Sequence, residues 1–194
     1  MLFADTADKT RFSQHANTLA ILTGTADEKD SRTMADQLLT NGTLTQCTIY
    51  FKYYLHRALV KAGKGNGYLN WLDVWHNNIK MGLSTWAEIS DLSKTRSDCH
   101  AWGSSPNIEF FRTVLGIDSD APGFHKIKIL PNLGDLTSVS GSIPHPNGEI
   151  KTSYQLKGGQ WNISATIPPS TSGKLVWGDK TYPLKDTTRL TLMK

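Results

Sequence analysis

The sequence predicts an α+β protein in two consecutive blocks, a helical block followed by a small antiparallel β-sandwich. Before Pro122-Gly123 the apolar residues mostly recur with a helical spacing, and after this dipeptide they alternate with polar residues. Dipeptides typical of tight turns separate the alternating stretches. Since 38% of the 194 residues are hydrophobic, the chain can bury a core. We therefore predict two domains, residues 1–121 and residues 122–194.

Five segments of the first block combine a helical spacing of apolar residues with typical helix ends. The predicted helices cover residues 12–22, 26–39, 45–62, 68–81 and 107–115. Glycine often follows the last turn of a helix, and the glycines in such positions are Gly24, Gly63, Gly82 and Gly116. The predicted apolar stripe of the third helix consists of Ile49, Tyr53, His56 and Val60. That of the fourth consists of Leu69, Leu72, Trp75 and Ile79.

The second block is predicted to form strands because its apolar and polar residues alternate. The predicted strands cover residues 125–130, 139–143, 149–156, 161–167, 174–177 and 189–193. Three dipeptides favour hairpin turns between strands: Asn147-Gly148, Gly158-Gly159 and Gly178-Asp179. About seventy residues of this kind are typical of a sandwich-like antiparallel module.

The charge distribution argues against a nucleic-acid partner. The net charge is +4, and residues 121–194 carry 9 Lys and Arg against 4 Asp and Glu. These lysines alternate with apolar residues, as on the wet face of a sheet, and do not cluster with aromatic residues. The sequence also lacks the ~18 consecutive apolar residues that a membrane helix needs. The first residues lack the basic and apolar regions of a signal peptide.

Cysteine and metal-ligand patterns predict neither a disulfide framework nor a bound metal. The two cysteines, Cys47 and Cys99, are too few for a disulfide framework or a four-ligand zinc site. We predict that both are reduced residues used for packing. Acidic residues and a histidine cluster over residues 88–100, but their spacing fits no common metal motif. We predict no cofactor.

The polar segment of residues 82–107 has the composition of a ligand site. Trp86 and Trp102 could stack on the apolar face of a sugar ring. Glu88 and His100 could then contact its hydroxyl groups. The alternative is a solvated loop whose tryptophans pack onto the neighbouring helices, and the pattern alone does not decide between them.

Four runs of sequence carry a resemblance to a known family. They are residues 12–20 (FSQHANTLA), 82–88 (GLSTWAE), 97–106 (SDCHAWGSSP), and the stretch from 123 to 144 with its Gly-Phe, Pro-Asn-Leu and Gly-Ser-Ile-Pro elements. In order and spacing they resemble the C-terminal end of bacterial α-L-rhamnosidases of glycoside hydrolase family 78. The second and third runs are the specific ones.

This resemblance implies a piece of a longer enzyme. The catalytic domain of the family is an (α/α)6 barrel, and a C-terminal β-sandwich follows it. Residues 1–121 would then be the last helices of an incomplete barrel, and residues 122–194 the sandwich. The parent enzyme would remove terminal α-L-rhamnose from glycosides or polysaccharides by inverting hydrolysis.

The resemblance also implies roles for individual residues. Glu88 would be the general base, with Asp91 and Asp98 as the alternative carboxylates. His100 would contact the rhamnose ring, and weaker candidates for the pocket wall are Trp86, Trp102 and Arg96. The general acid would lie upstream of Met1, so we expect the 194 residues alone to be inactive. Glu109 is interpreted as structural.

Two alternatives from other classes stay open. One is a carbohydrate-binding module in which Trp161 or Trp177 binds polysaccharide. The other is a structural piece that self-associates through the exposed faces of a partial barrel. The sequence does not determine the aglycone, and it leaves the compartment open between periplasmic, extracellular and cytosolic.

Overall fold

The computed structural model describes residues 2–193 and divides the chain into two compact units, residues 1–106 and residues 107–194. The first unit is helical and the second holds the strands. The predicted order of helices before strands in an α+β chain is therefore confirmed.

The helical unit contains four α-helices joined by turns and 3₁₀ segments. The α-helices are α1 (Gln14–Thr23), α2 (Glu28–Thr40), α3 (Lys52–Lys61) and α4 (Asp73–Lys80). The 3₁₀ segments are Gly65–Trp71 and Ala101–Ser104, and α5 (Ser105–Glu109) follows the second of them. The core of the unit is apolar, and its most deeply buried members include Ile21, Met34, Ala35, Leu38, Ala58 and Leu59.

The first two helices agree with the sequence prediction to within two residues at each end, because local hydrogen bonds fix their ends. The Oγ of Ser13 accepts a hydrogen bond from the Ala16 amide at the start of α1. Gly24 ends this helix in the left-handed conformation, with φ of 78°. A carboxylate oxygen of Asp27 accepts a hydrogen bond from the Asp30 amide, 2.8 Å away, at the start of α2.

The third predicted helix is too long at its N-terminal end. Helix α3 begins only at Lys52, because Thr45 pairs with a distant segment. The Thr45 amide donates to the Phe12 carbonyl, and the Gln14 amide donates to the Thr45 carbonyl, both over 3.0 Å. The predicted stripe is also wrong in part: Ile49 lies before the helix, and the buried residues of α3 are Leu55, His56, Ala58 and Leu59.

The fourth predicted helix is interrupted at Leu72, where the 3₁₀ segment ends and α4 follows. The prediction that Ile79 belongs to a buried stripe is wrong, since 59% of its surface is exposed. The buried position next to it is Asn78, whose amide group binds backbone atoms. A polar residue whose hydrogen bonds are satisfied therefore occupies the inner face that apolar spacing assigned to Ile79.

The rings of four residues pack together inside the helical unit. His56 is 2% exposed, and its ring centroid lies 5.4–5.6 Å from those of Tyr68, Trp71 and Trp75. Burial, and to a smaller extent the charge of Lys52, lowers the pKa of His56 to about 3. The imidazole is therefore neutral at ordinary pH.

The last predicted helix begins earlier and changes its geometry. Helix α5 starts at Ser105 and continues as a π-helical turn over Phe110–Val114. The Leu115 amide donates to the Phe110 carbonyl five residues earlier, over 3.0 Å. Glu109 is 1% exposed, and its carboxylate accepts hydrogen bonds from Arg112 and Thr113.

The strand unit consists of two four-stranded sheets. One has the order β1 (Ile117–Ser119), β2 (Lys126–Ile129), β6 (Ser172–Trp177), β7 (Lys180–Leu184). The other has the order β3 (Ser138–His145), β4 (Gly148–Lys157), β5 (Gln160–Thr166), β8 (Thr187–Met193). The apolar core of the unit includes Ile127, Ile129, Ile150, Tyr154, Ile163 and Leu175.

Three details of the strand unit differ from the prediction. Strand β1 was not predicted because it has only three residues, and β7 because Pro183 interrupts its pattern at the edge of the sheet. Strands β2 and β6 pair in parallel, whereas all other pairs are antiparallel. The sandwich is therefore antiparallel-rich, not purely antiparallel.

The two tryptophans proposed for polysaccharide binding belong to the core of this unit. Trp161 is 6% exposed, and its ring centroid lies 5.8 Å from that of Trp177. Trp177 is half-buried and stacks on Tyr154 at 6.3 Å. The prediction of a binding face on Trp161 is wrong, because a buried ring has no free face for a sugar.

Candidate functional site

The candidate site is built by an irregular segment, residues 84–100, which we call the polar loop. Two hydrogen bonds bring its two ends side by side. The Glu88 amide donates to the Ser97 carbonyl, and the His100 amide donates to the Trp86 carbonyl, both over 3.0 Å. The polar loop is thus ordered by pairing between its own ends.

Asn78 connects the polar loop to helix α4. Its Oδ1 accepts a hydrogen bond from the Ala87 amide at 3.0 Å, and its Nδ2 donates to the Val74 carbonyl at 2.7 Å. Both Asn78 and Ala87 are fully buried. The side-chain amide of Asn78 therefore attaches the polar loop at Ala87 to helix α4.

Gly103 allows Trp86 to pack closely behind the site. A Cβ atom at position 103 would lie 2.5 Å from the Cβ of Trp86, which is shorter than any real contact. The Gly103 carbonyl also accepts a hydrogen bond of 2.5 Å from Nε1 of Trp75. Trp86 is half-buried in this packing.

Glu88 forms an ion pair with Arg96 on the surface of the polar loop. Arg96 Nε donates to Glu88 Oε2 over 3.1 Å, and Arg96 Nη2 donates to Glu88 Oε1. The Glu88 side chain is 15% exposed and that of Arg96 is 82% exposed. The hydrogen bonds and charge of Arg96, with a smaller contribution from His100, lower the pKa of Glu88 below its ordinary value. Glu88 is therefore a carboxylate at neutral pH.

His100 and Trp102 form a stacked pair next to this ion pair in sequence. Their ring centroids lie 4.5 Å apart with an interplanar angle of 24°. The Nε2 of His100 is 2.8 Å from the Oγ of Ser97. Trp102 is 46% exposed, and its other neighbour is the ring of Tyr50 at 5.5 Å. Trp102 thus keeps nearly half of its surface accessible to solvent beside these two rings.

Sequence reasoning missed Tyr50 and Asn78. Tyr50 lies far from the polar loop in sequence, and Asn78 lies within a helix whose apolar spacing hid it. The signal in the sequence for Asn78 is its place as a polar residue within a predicted helix, shortly before an irregular segment.

The alternative carboxylates have other contacts. Asp91 accepts a hydrogen bond of 2.6 Å from Ser93 and forms a 3.0 Å ion pair with Lys94. Asp98 is exposed, and its backbone carbonyl accepts a hydrogen bond from the Thr85 hydroxyl. Of the three carboxylates, Glu88 has the least exposed environment.

The cysteine prediction is half wrong. Cys47 is buried, and burial raises the pKa of its thiol. Cys99 is exposed in the polar loop, so it does not serve packing. Within residues 2–193 the two thiols are free, and no group of three His, Cys, Asp or Glu side chains is arranged to hold a metal. In the same part of the chain, no helix is both long and apolar enough to span a membrane.

Comparison with known proteins gives one family match and one curated relative. Residues 116–189 match the family described as "Bacterial alpha-L-rhamnosidase C-terminal domain". A protein of Alteromonas sp. (strain LOR) named "Alpha-L-rhamnosidase" is 35% identical over 68 residues, which are 34% of this chain and 7% of that protein. The family match lies within the strand unit, and the two findings together confirm the resemblance to α-L-rhamnosidases.

Solved structures share the fold over nearly the whole chain. The family 78 rhamnosidase of Bacillus sp. GL1 matches 88% of this chain and 19% of its own, with 22% identity and a TM-score of 0.78. The α-L-rhamnosidase of Aspergillus terreus matches 94% of this chain and 24% of its own, with 19% identity and a TM-score of 0.79. The Streptomyces avermitilis enzyme, solved with L-rhamnose, matches 93% of this chain and 20% of its own, with 15% identity and a TM-score of 0.68. The chain therefore spans a quarter or less of the length of these relatives.

Proposed function

Because residues 116–189 match the C-terminal domain of bacterial α-L-rhamnosidases, we propose that this chain is the C-terminal part of a glycoside hydrolase that removes terminal α-L-rhamnose by inverting hydrolysis. In this proposal residues 1–121 are the last helices of an (α/α)6 barrel, and residues 122–194 are its β-sandwich. The substrate is a rhamnose-containing glycoside or polysaccharide.

One observation carries the proposal of a sugar site in the polar loop. Two hydrogen bonds join residues 86–88, which include the Glu88 carboxylate, to residues 97–100, and His100 at the end of the second segment stacks on the exposed ring of Trp102. Sugar sites combine a ring face with groups that bind hydroxyls, and the polar loop together with the adjoining Trp102 offers both. Trp102 would stack on the ring, His100 would bind a hydroxyl group, and Trp86 would support the wall.

Glu88 is the proposed general base. A general base must be ionised when it takes a proton from the attacking water, and the lowered pKa of Glu88 meets this condition. Its two oxygens are engaged by Arg96 in this structure. Arg96 is largely exposed, so its side chain can rotate and break one of its two hydrogen bonds to Glu88, which leaves one carboxylate oxygen for a water molecule. Arg96 would then keep the base charged through the remaining hydrogen bond.

The second carboxyl group of the reaction lies outside this chain in our proposal. An inverting glycosidase needs a general acid roughly 6.5–9.5 Å from the base, so that a water molecule fits beside the sugar. We expect the 194 residues alone to show no turnover of an aryl α-L-rhamnoside, because protonation of the leaving oxygen is then missing.

The test uses the longer enzyme of which this chain is proposed to be a part. We expect Glu88→Gln to lower kcat on an aryl α-L-rhamnoside by about 10² or more. Asp91→Asn is the matched control, and it leaves kcat within a few-fold of wild type. NMR of the first product, recorded before mutarotation, shows β-L-rhamnose if the reaction inverts. An enzyme indifferent to Glu88→Gln but impaired by Asp91→Asn or Asp98→Asn would move the base to that residue.

A second candidate role is self-association, favoured by exposed apolar side chains in the helical unit. The four most evident are Leu19, Leu39, Ile79 and Met81, with exposed fractions of 41–65%. Exposed apolar side chains favour contact with another surface where they form a contiguous patch. In the longer enzyme the remaining helices of the barrel would provide that surface.

A further inference from the structure

The helical unit has a pocket outside the polar loop, and it is built by two segments that lie far apart in sequence. It is an open groove of about 430 Å³ between residues 10–12 and residues 41–45, with Leu2 at its border, and Thr10, Arg11, Thr43 and Thr45 are exposed in it. This volume lies within the range of pockets that bind small molecules, roughly 300–1,000 Å³.

The walls of the pocket are held by hydrogen bonds. The Thr45 amide donates to the Phe12 carbonyl over 3.0 Å, and the Asp5 amide donates to the Arg11 carbonyl over 2.9 Å. On the opposite side, Asn41 Oδ1 accepts hydrogen bonds from both the amide and the hydroxyl of Thr43, at 3.0 and 2.7 Å. The two segments therefore form a preorganised pocket, which lowers the entropic cost of binding a ligand.

The lining combines one cation with hydroxyl groups and an apolar surface. Arg11 is the cation, and the pocket lining contains no acidic side chain. Within residues 2–193 the guanidinium of Arg11 has no ion-pair partner. The hydroxyl groups are those of Thr10, Thr43 and Thr45, and the apolar side chains are Leu2, Phe12 and Leu44.

We propose that this pocket binds a hydroxylated carboxylic acid of monosaccharide size, such as a uronic acid, whose carboxylate pairs with Arg11. A guanidinium binds a carboxylate through two parallel hydrogen bonds and does not lose its charge. The threonine hydroxyls bind the ring hydroxyls, and the apolar side chains contact the C–H face of the ring. The nearest acidic residue in sequence, Asp8, is occupied by the Thr6 hydroxyl and the Thr10 amide, at 2.5 and 3.2 Å.

The test is an NMR titration of the full 194-residue chain with D-glucuronate and with D-glucose, which differ in the carboxylate. We expect D-glucuronate to cause saturable shifts of the amide signals of residues 10–12 and 41–45. D-glucose and acetate should bind at least about tenfold more weakly, since D-glucose lacks the carboxylate and acetate lacks the hydroxylated ring. Equal binding of D-glucose, or no saturable shift with D-glucuronate, overturns the proposal.

Three variants separate the roles of the lining. Arg11→Gln should weaken D-glucuronate binding about tenfold or more, because it removes the charged donor. Arg32→Gln is the matched control, since Arg32 lies outside the pocket and pairs with Glu28 at 2.6 Å. Thr45→Val should weaken binding of D-glucuronate but not of acetate. Binding that survives Arg11→Gln, or inorganic phosphate that binds more tightly than D-glucuronate, contradicts a sugar-acid site.

Discussion

The guanidinium of Arg96 donates hydrogen bonds to both carboxylate oxygens of Glu88. The Arg96 side chain is exposed, whereas the Glu88 side chain is largely buried. This pair spans eight residues of the polar loop. It therefore joins the outgoing and returning halves of the loop, in addition to the backbone hydrogen bonds. Because the pair requires an ionised Glu88, protonation of this carboxylate would weaken the contact that joins the two halves of the loop.

We predict that Arg96→Gln raises the pKa of Glu88 toward its ordinary value of 4.5. Because the pKa of Glu88 is lowered in the folded loop, its ionised carboxylate stabilises the fold at pH values above the ordinary pKa. This stabilisation is lost as the pH falls through the pKa of the folded state. A titration of the Glu88 side-chain carboxyl by ¹³C NMR measures the change. Lys94→Gln, which removes the partner of Asp91, is the control and should leave the Glu88 titration unchanged. An unchanged Glu88 pKa in Arg96→Gln would contradict the electrostatic role of the pair.

We predict that Gly103→Ala destabilises the helical unit by about 1–3 kcal/mol, because the new methyl group must displace Trp86. Denaturant unfolding followed by the helical circular dichroism measures the loss. Gly42→Ala is the matched control, since a Cβ atom at that glycine meets nothing within 4 Å. Equal stabilities of the two variants would mean that Trp86 moves without cost.

We predict that buried His56 makes the helical unit sensitive to acid. Its pKa is about 3 in the folded chain and 6.5 ordinarily, so the unfolded chain binds a proton between these values and the folded chain does not. Stability is therefore fully present above pH 6.5 and falls toward pH 3, by at most about 1.4 kcal/mol per pH unit. His56→Phe should flatten this dependence in denaturant unfolding at a series of pH values. His76→Gln, at an exposed position of α4, should not alter it.

We predict that the isolated chain self-associates at high concentration through apolar side chains of the helical unit. Light scattering of wild type should show a mass above 21.5 kDa that rises with concentration. The double variant Leu19→Glu with Ile79→Glu should shift the chain toward monomer. Met193→Glu is the control, because this exposed residue belongs to the strand unit. A wild-type chain that stays monomeric at all concentrations would remove self-association as a second role.

Local chemistry explains which elements could be predicted from the sequence. Ser13 and Asp27 fix the starts of α1 and α2 through bonds within one turn, so their signals are contained in a few residues. The non-helical stretch before α3 depends on pairing between Thr45 and the segment around Phe12, more than thirty residues away. No local pattern encodes such a pairing, and helical spacing therefore extended the third helix too far.

In the candidate site, too, residues close in sequence could be predicted, whereas contacts between separate segments could not. Glu88, Arg96 and His100 could be proposed because they occur together in one polar segment. The contact between Arg96 and both oxygens of Glu88 could not, because it depends on how the two halves of the loop align. The contact of Trp102 with Tyr50 joins residues that are far apart in sequence. Sequence spacing carries no information about it.

The attachment of the polar loop through Asn78 has a consequence for how this region can change over evolutionary time. Residues 86–88 and 95–100 are fixed by Asn78, by their own pairing and by the contacts of Thr95 and Arg96 with Glu88, whereas residues 89–94 connect them at the surface. Insertions and deletions within that connection leave the anchored ends in place, since long surface loops cost little to extend. Selection can therefore reshape the surface around the anchored residues without rebuilding the helix beneath them.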